Sequence, residues 1–175
     1  LKYILMGLAK KNTVFLVDDD AIYCQSLKKH LEDKFKGSDI HTYGTGEQCM
    51  QQMHSKPDLI VLDYYLNSIT ETARDGLTVL RQIKAKYPNT EVIMLTGEEN
   101  TKTSVTSIKN GSFDYLVKND NAFIRTSNLA SKVFFNKKLR ENSDKYRTSL
   151  FFVTVCMAVV TVSTVLIHLQ HIITK

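Results

Sequence analysis

Polar side chains follow four short apolar runs in this sequence, each at the point where the run ends. They are Asp18, Asp19 and Asp20 after residues 13–17, Asp63 after 59–62, Thr96 after 92–95 and Lys118 after 113–117. Ionised carboxylates that lie close together repel one another, so an acidic cluster is stabilised by a bound cation. Mg²⁺ fits such a cluster, because it takes one or two carboxylates and keeps positions open for water and phosphate oxygens. This combination of residues predicts a magnesium-dependent site that handles a phosphoryl group.

Asp63 stands alone at the end of its apolar run, where it could act as a nucleophile and form an aspartyl phosphate. Phosphoryl transfer requires alignment and charge neutralisation more than covalent chemistry by other protein groups. The ammonium of Lys118 offers a positive charge to the phosphoryl oxygens, and the hydroxyl of Thr96 offers a hydrogen bond. Asp63 is therefore a candidate acceptor of a phosphoryl group.

Apolar runs alternate with segments of helical periodicity along the chain. Predicted strands cover residues 13–17, 40–43, 59–62, 92–95 and 113–117, and predicted helices cover 21–35, 46–53, 76–87, 103–109 and a long segment from about 121. This alternation predicts an α/β fold in which an open parallel sheet carries helices on both faces. The carboxyl ends of the strands then share one edge, where such sheets place reactive groups. In the first helix, near-helical spacing predicts an apolar inward face, formed by Ile22, Leu27, Leu31 and Phe35.

Four motifs in order carry a resemblance to a known family. They read VDDD (17–20), LDYYL (62–66), LTGEE (95–99) and DYLVKN (114–119). Over about residues 12–135 the chain resembles the receiver domain of two-component response regulators. The resemblance implies a doubly wound, flavodoxin-like sheet of five parallel strands in the order 2-1-3-4-5, followed by a long C-terminal helix. It also implies a phosphoacceptor with slow self-dephosphorylation, not a turnover enzyme, whose donor is a histidine kinase or a phosphotransfer protein.

The resemblance assigns a role to each acidic residue of the cluster. Asp63 would be the phosphoacceptor, and Asp18 and Asp19 would be the acid pair that binds Mg²⁺. Asp19 would be the more direct of the two ligands. Asp63 itself and the backbone carbonyl of Tyr65 would complete the protein ligands of the metal. Asp20, in contrast, is expected to be a solvated residue at the start of the first helix.

Three further residues receive roles from the same resemblance. Thr96 would follow the phosphoryl group once it is attached, and Lys118 would pair with that group. Tyr115 would be the aromatic switch that turns inward when Thr96 moves. The altered surface would bind an output protein of unknown identity through the last strand and the helices that flank it.

The sequence departs from the family pattern at two places. After Asp63, Asn67 occupies part of a usual Met-Pro pair, and the next glycine is Gly76, so the intervening loop is about five residues longer than usual. After Lys118, Asn119 stands where a proline is customary. These changes favour a second hypothesis, a pseudo-receiver scaffold at the membrane that never uses phosphate. The complete set of acidic residues opposes that hypothesis.

The net charge of +5 is confined to one stretch of the chain. Residues 1–121 contain 15 basic and 16 acidic side chains, whereas residues 122–149 contain seven basic and two acidic ones. Such a basic segment suggests nucleic acid or an anionic surface as a partner. Because it directly precedes an apolar segment, we expect the membrane surface as the partner and no nucleic acid. The three cysteines form no CxxC pair, which argues against a disulfide scaffold or a zinc site.

Residues 150–169 contain no charged side chain. At about 1.5 Å per residue, this run matches the roughly 30 Å thickness of a bilayer core. We therefore predict a single-pass anchor in the inner, or cytoplasmic, membrane, with the receiver in the cytoplasm according to the positive-inside rule. The predicted organisation is an N-terminal extension (1–11), a receiver (12–135), a basic juxtamembrane helix (136–149) and a transmembrane helix (150–173). The alternative is a buried oligomerisation helix, and the hydroxyl side chains of the run favour it.

Overall fold

The computed structural model of the chain describes residues 11–66, 75–97 and 101–173. The strands are β1 (Thr13–Val17), β2 (Asp39–Tyr43), β3 (Leu59–Asp63), β4 (Glu91–Thr96) and β5 (Asp114–Val117). The helices are α1 (Ala21–Lys34), α2 (Gly46–Gln52), α3 (Gly76–Lys86), α4 (Thr101–Lys109) and α5 (Ala122–Ile173), and a short 3₁₀ turn (Met53–Ser55) follows α2. Each predicted element is present, with ends that differ by one or two residues.

The five strands form one sheet in the order β2-β1-β3-β4-β5, and every neighbouring pair is parallel. The register places Val17 beside Leu62 and Asp63 beside Leu95. Parallel strands need crossover connections, and the helices between the strands supply them. The predicted doubly wound sheet of order 2-1-3-4-5 is confirmed.

The sheet is buried on both faces. Val14 and Leu16 of β1 belong to one core cluster, with apolar residues of α1 and of the start of α5. Phe15 and Val17 point to the opposite face and pack in a second cluster, with residues of α2 and α3. Because both faces are covered, the strands are continuous apolar runs without polar alternation.

The inward face of α1 differs from the prediction at one residue. Leu27 and Leu31 are buried as expected, but Ile22 is 82% exposed, and Cys24 is buried instead. Two residues correspond to about 200° around a helix of 3.6 residues per turn, so Ile22 and Cys24 lie on opposite sides of α1. Ile22 is also about 140° from Leu27 and about 180° from Leu31 around the helix, so its spacing places it across the helix from the buried residues.

The chain divides into two compact units, residues 1–134 and 135–175, and α5 contributes to both. Within the first unit, α5 buries Leu129, Ala130 and Val133 against the sheet. Within the second unit, the apolar side chains described from Leu150 onward are exposed. By length and composition, the described part of α5 is long and apolar enough to cross a membrane.

Candidate functional site

The predicted polar residues lie at the carboxyl edge of the sheet. Asp63 is the last residue of β3 and Thr96 the last of β4, while Lys118 directly follows β5. The backbone N–H of Lys118 donates to the carbonyl of Thr96 at 2.7 Å, which extends the ladder between β4 and β5 beyond the last strand residue. Similarly, the N–H of Asp18 donates to the carbonyl of Tyr43 at 3.1 Å beyond the end of β1. The backbone of the strands therefore fixes where each of these side chains begins.

The ammonium of Lys118 joins the two buried carboxylates of the edge. Its Nζ lies 2.7 Å from Oδ2 of Asp18 and donates a hydrogen bond to Oδ2 of Asp63 at 2.9 Å. Asp18 and Asp63 are each only 4% exposed. One lysine thus neutralises part of the charge of two carboxylates that water barely reaches.

Burial and mutual repulsion perturb the ionisation of all three groups. Burial and the charge of Asp18 raise the pKa of Asp63 to about 6, although Lys118 and a weaker interaction with the Tyr65 amide act in the opposite direction. Burial likewise raises the pKa of Asp18. For Lys118, burial alone would lower the pKa, but the hydrogen bonds and charges of Asp18 and Asp63 outweigh it, so the pKa lies above its ordinary value. Carboxylates with raised pKa values favour the arrival of a cation.

A third carboxylate completes an oxygen cluster at this edge. Asp18, Asp19 and Asp63 each offer one oxygen, and these oxygens lie within 4.8 Å of one another. Oδ1 of Asp63 is buried and has no hydrogen-bond partner of ordinary geometry among the described residues. Hard oxygen ligands and an unpaired buried carboxylate oxygen fit Mg²⁺. Tyr65, the fourth predicted ligand, lines the same cleft, which has a volume of about 630 Å³ and is open to solvent.

Asp20 has a structural role instead of a place in the oxygen cluster. Its side chain caps α1 by accepting hydrogen bonds from the backbone N–H groups of Ile22 and Tyr23, both at 3.0 Å. Its own N–H donates to Oδ1 of Asp18 at 3.0 Å. The third aspartate of the run therefore starts the helix and orients the Asp18 carboxylate, as an N-cap aspartate does.

The two predicted switch residues lie on the same face of the sheet. In the register of β4 and β5, Met94 pairs with Tyr115 and Thr96 pairs with Val117, so Thr96 and Tyr115 are diagonal neighbours. Thr96 is buried, whereas Tyr115 is partly exposed. Tyr115 also lines a groove of about 440 Å³ between α4 and β5. The buried Thr96 and the partly exposed Tyr115 therefore lie close to one another on one face of the sheet.

The glycine that follows the long loop supports Asp63 directly. Gly76 donates its backbone N–H to the carbonyl of Tyr64 at 2.9 Å. A Cβ atom at Gly76 would overlap the carbonyl oxygen of Asp63, so only glycine allows this approach. The predicted additional loop residues, including Asn67, lie outside the described residues.

Asn119, which replaces the customary proline, organises the loop after Lys118. Its Oδ1 accepts a hydrogen bond from the N–H of Asn121 at 3.1 Å, and its carbonyl accepts one from Ala122 at 2.8 Å. This side-chain turn leads directly into α5. The loop therefore has its own local support in place of a proline ring.

Sequence reasoning missed one residue at this site, Tyr23. The Nζ of Lys118 lies 4.7 Å from the centroid of the Tyr23 ring. Tyr23 lies in the first turn of α1, four residues after Asp19. Its contact with Lys118 depends on how α1 and β5 pack together, and the sequence pattern does not reveal this packing.

Comparison with known proteins identifies the family. The sequence model of the response regulator receiver domain matches residues 14–126, which is well over half of the chain. The chain belongs to this family. Receiver domains are phosphoacceptors that bind Mg²⁺ at their acidic pocket and interact with histidine kinases or phosphotransfer proteins and with output domains.

Individual relatives agree with the family match. The receiver is 35% identical over 107 residues to the response regulator DctR of Halalkalibacterium halodurans, which covers 60% of the chain and 44% of DctR. It is 33% identical over 104 residues to the regulatory protein LuxO of Vibrio vulnificus, covering 59% of the chain and 21% of LuxO. A crystal structure of a signal receiver domain from Vibrio parahaemolyticus is 28% identical, with a TM-score of 0.66, and covers 75% of the chain and 96% of that domain. The chain thus spans less than half the length of the two full-length relatives.

Proposed function

We propose that this chain is a membrane-tethered receiver that accepts a phosphoryl group on Asp63 from a histidine kinase or a phosphotransfer protein. The observation that carries the proposal is the bridge from Lys118 to Asp18 and Asp63, beside the third carboxylate of Asp19. Asp19, Asp63 and Lys118 border one open cleft, where a phosphorylated donor side chain can approach. The alternative of a scaffold that never uses phosphate gives no reason for burying two carboxylates around one lysine.

The chemistry proposed for the site is a direct transfer. A carboxylate oxygen of Asp63 forms a bond to phosphorus while the phosphorus–nitrogen bond of a phosphohistidine donor breaks, and the imidazole leaves with the bond electrons. With a pKa of about 6, Asp63 is ionised, and hence nucleophilic, at neutral pH. Lys118 is positioned to pair with the incoming phosphoryl oxygens, and Thr96 is the proposed hydroxyl donor.

The acidic cluster is the proposed magnesium site. Asp18, Asp19, Asp63 and the backbone carbonyl of Tyr65 would hold the ion, which would neutralise charge on the phosphoryl oxygens. Asp18 and Asp63 share the single ammonium of Lys118, and the charge of Asp18 raises the pKa of Asp63. A bound Mg²⁺ would offset this repulsion.

The proposed output surface lies around β5. Thr96 and Tyr115 share a face, and Tyr115 borders the groove beside α4. Phosphorylation would shift the population of Tyr115 between two positions and so alter this groove for an output protein. Hydrolysis of the aspartyl phosphate in the same cleft would end the signal, which makes the chain a phosphoacceptor with slow self-dephosphorylation.

Membrane attachment is the proposed role of the second unit, with a basic juxtamembrane segment (136–149) and a transmembrane helix (150–173) after the receiver (12–135). The hydroxyls of Thr154, Thr161 and Ser163 donate to carbonyls three or four residues earlier in the helix, at 2.8 to 2.9 Å. These donors need no partner from another chain, which suits a helix in lipid. Anionic lipids would attract the basic segment, and the receiver would lie in the cytoplasm.

Phosphorylation is tested with the full chain in mild detergent, using phosphoramidate and Mg²⁺. Mass spectrometry is expected to find one added phosphoryl group in the wild type, and none in Asp63→Ala or in the presence of EDTA. Asp39→Asn is the matched control, since Asp39 is an exposed carboxylate far along β2 from the carboxyl edge. No modification of the wild type, or modification that persists in Asp63→Ala, would rule out the proposed function.

The membrane anchor is tested with the native cysteines. Cys24 and Cys49 are buried in the receiver, whereas Cys156 is exposed and lies in the apolar segment. In vesicles, a membrane-impermeant maleimide is expected to leave all three unlabelled, and denaturation in SDS is expected to make all three reactive. The chain should also stay in the membrane fraction after a carbonate wash. Release by carbonate, or labelling of Cys156 in intact vesicles, would contradict a membrane span.

A further inference from the structure

The ammonium of Lys118 has contacts in three directions, of which the carboxylates account for two. An ammonium carries three N–H donors. The Nζ of Lys118 lies 2.7 Å from Oδ2 of Asp18 and 2.9 Å from Oδ2 of Asp63, which accounts for two of them. In the third direction it lies 4.7 Å from the centroid of the Tyr23 ring. This distance is within the range of a cation–π interaction. The lysine is therefore held by α1 as well as by the strands.

The Tyr23 ring is itself fixed in place by the start of α5. The rings of Tyr23 and Phe123 lie with centroids 5.2 Å apart and planes at 75°, an edge-to-face geometry that aromatic pairs prefer. Phe123 in turn contacts the ring of His30, two turns further along α1, at 5.8 Å. The Tyr23 backbone N–H is bound by the side chain of Asp20 at 3.0 Å. Both the backbone and the ring of Tyr23 are thus constrained.

The Tyr23 hydroxyl takes no part in this arrangement. Its oxygen is buried and has no hydrogen-bond partner among the described residues. Burial also raises the pKa of Tyr23 to about 12, so the hydroxyl remains protonated and adds no charge beside Lys118 at neutral pH. What Tyr23 offers to the site is the face of its ring.

We infer that Tyr23 is a positioning residue, whose ring face holds the Lys118 ammonium in place for phosphoryl transfer. The inference rests on the proposed function of Asp63. A lysine side chain loses considerable rotamer entropy when it is fixed, and the loop after Lys118 contains Asn119 in place of a stiff proline. Asp18 and Asp63, which hold the ammonium through their Oδ2 atoms, are also the residues expected to engage the metal and the phosphoryl group. Of the three contacts of the Lys118 ammonium, only the one with the Tyr23 ring involves a group that neither the metal nor the phosphoryl group is expected to bind.

The contact itself is tested by NMR on the full chain in mild detergent, with lysine labelled at the ε-methylene group. A ring face above Lys118 shifts its ε-proton signal upfield, and the signal is assigned from its loss in Lys118→Arg. The shift is expected in the wild type and in Tyr23→Phe, which keeps the ring, and it is expected to disappear in Tyr23→Leu. An unshifted Lys118 signal in the wild type would overturn the inference without requiring any variant to fold.

The role in transfer is tested by the rate of phosphorylation with phosphoramidate and Mg²⁺. Tyr23→Leu is expected to lower the rate by about 2- to 10-fold, the range for a partly desolvated cation–π contact, and Tyr23→Phe is expected to restore it. Tyr87→Leu, which removes a tyrosine at the end of α3 on the opposite face of the sheet, is the matched control. Equal rates for Tyr23→Leu and a phosphorylated wild type would overturn this inference alone. A wild type that is never phosphorylated would overturn the proposed function and this role together, even with the NMR shift present.

Discussion

Replacing Asp63 by asparagine is expected to stabilise the metal-free protein at neutral pH. The Asp63 carboxyl has an ordinary pKa of 3.8, and burial and the charge of Asp18 raise it to about 6 in the folded protein. One pH unit corresponds to about 1.4 kcal/mol, so an ionised Asp63 costs the folded state about 3 kcal/mol relative to the unfolded chain. This figure already includes the favourable charge of Lys118. Asparagine has nearly the same shape and no charge, so the variant is expected to be more stable by about 2 to 3 kcal/mol.

The sign of the pH dependence follows from the direction of the shift. Below pH 3.8 the Asp63 carboxyl is protonated in both states and costs nothing. Between that value and about pH 6, the unfolded chain loses its proton first, so wild-type stability falls as the pH rises. Above about pH 6 the cost is complete and constant. The advantage of Asp63→Asn should therefore be absent near pH 4 and full at pH 7.5.

Urea unfolding in EDTA, followed by tyrosine fluorescence because the chain has no tryptophan, measures this difference. Two conditions, pH 4 and pH 7.5, are sufficient, provided that the dependence on urea concentration is the same for both proteins. Asp39→Asn, which alters an exposed carboxylate, should show no such pH-dependent gain. An Asp63→Asn protein that is no more stable than the wild type at pH 7.5, or whose gain is equal at both pH values, would refute the reasoning.

Three further predictions concern the neighbouring residues. Saturating Mg²⁺ should raise the wild-type melting temperature more at pH 7.5 than at pH 5, because protons compete for the same carboxylates, and Asp19→Asn should remove most of the rise. Gly76→Ala should lower the free energy of unfolding by more than about 2 kcal/mol in urea and abolish phosphorylation, because its Cβ would overlap the Asp63 carbonyl. Gly97 has open space around it, so Gly97→Ala should leave the free energy of unfolding almost unchanged. Asn119→Ala should cost about 1 kcal/mol in urea unfolding through loss of its side-chain turn, and Asn119→Asp should retain most of that stability.

Sequence reasoning succeeded where a residue is fixed by the backbone of a strand. The position of Asp63 or Lys118 follows from a short apolar run, since the carboxyl ends of parallel strands must meet at one edge. It was less successful along α1. Ile22 was assigned to the inward side, yet it is 82% exposed, because at about 100° per residue it lies across the helix from Leu31. Cys24, which is buried, is seven residues before Leu31 and therefore lies on the same side of the helix.

Two contributions to the site could not be predicted from the sequence for a different reason. Tyr23 lies against Lys118, 95 positions away in the sequence, and Gly76 lies against the backbone of Asp63 across a loop of unusual length. Neither residue carries a charge or a metal-binding atom, so neither belongs to the chemical pattern of the edge. Tyr23 acts by placing its ring beside Lys118, and Gly76 acts by leaving room for the backbone of Asp63. Both effects depend on contacts that exist only in the folded chain.

The stability cost at Asp63 and the proposed function have the same physical origin. A carboxylate that is buried, crowded by Asp18 and only partly neutralised by Lys118 destabilises the metal-free fold, and these conditions also favour a cation and a covalent phosphoryl group that engage its oxygens. A surface carboxylate would cost nothing and would gain little from either ligand. Modification of Asp63 would relieve this destabilisation, and the free energy gained would shift the equilibrium between two conformations of the protein. Thr96 and Tyr115, on one face of adjacent strands, are placed to respond to that change.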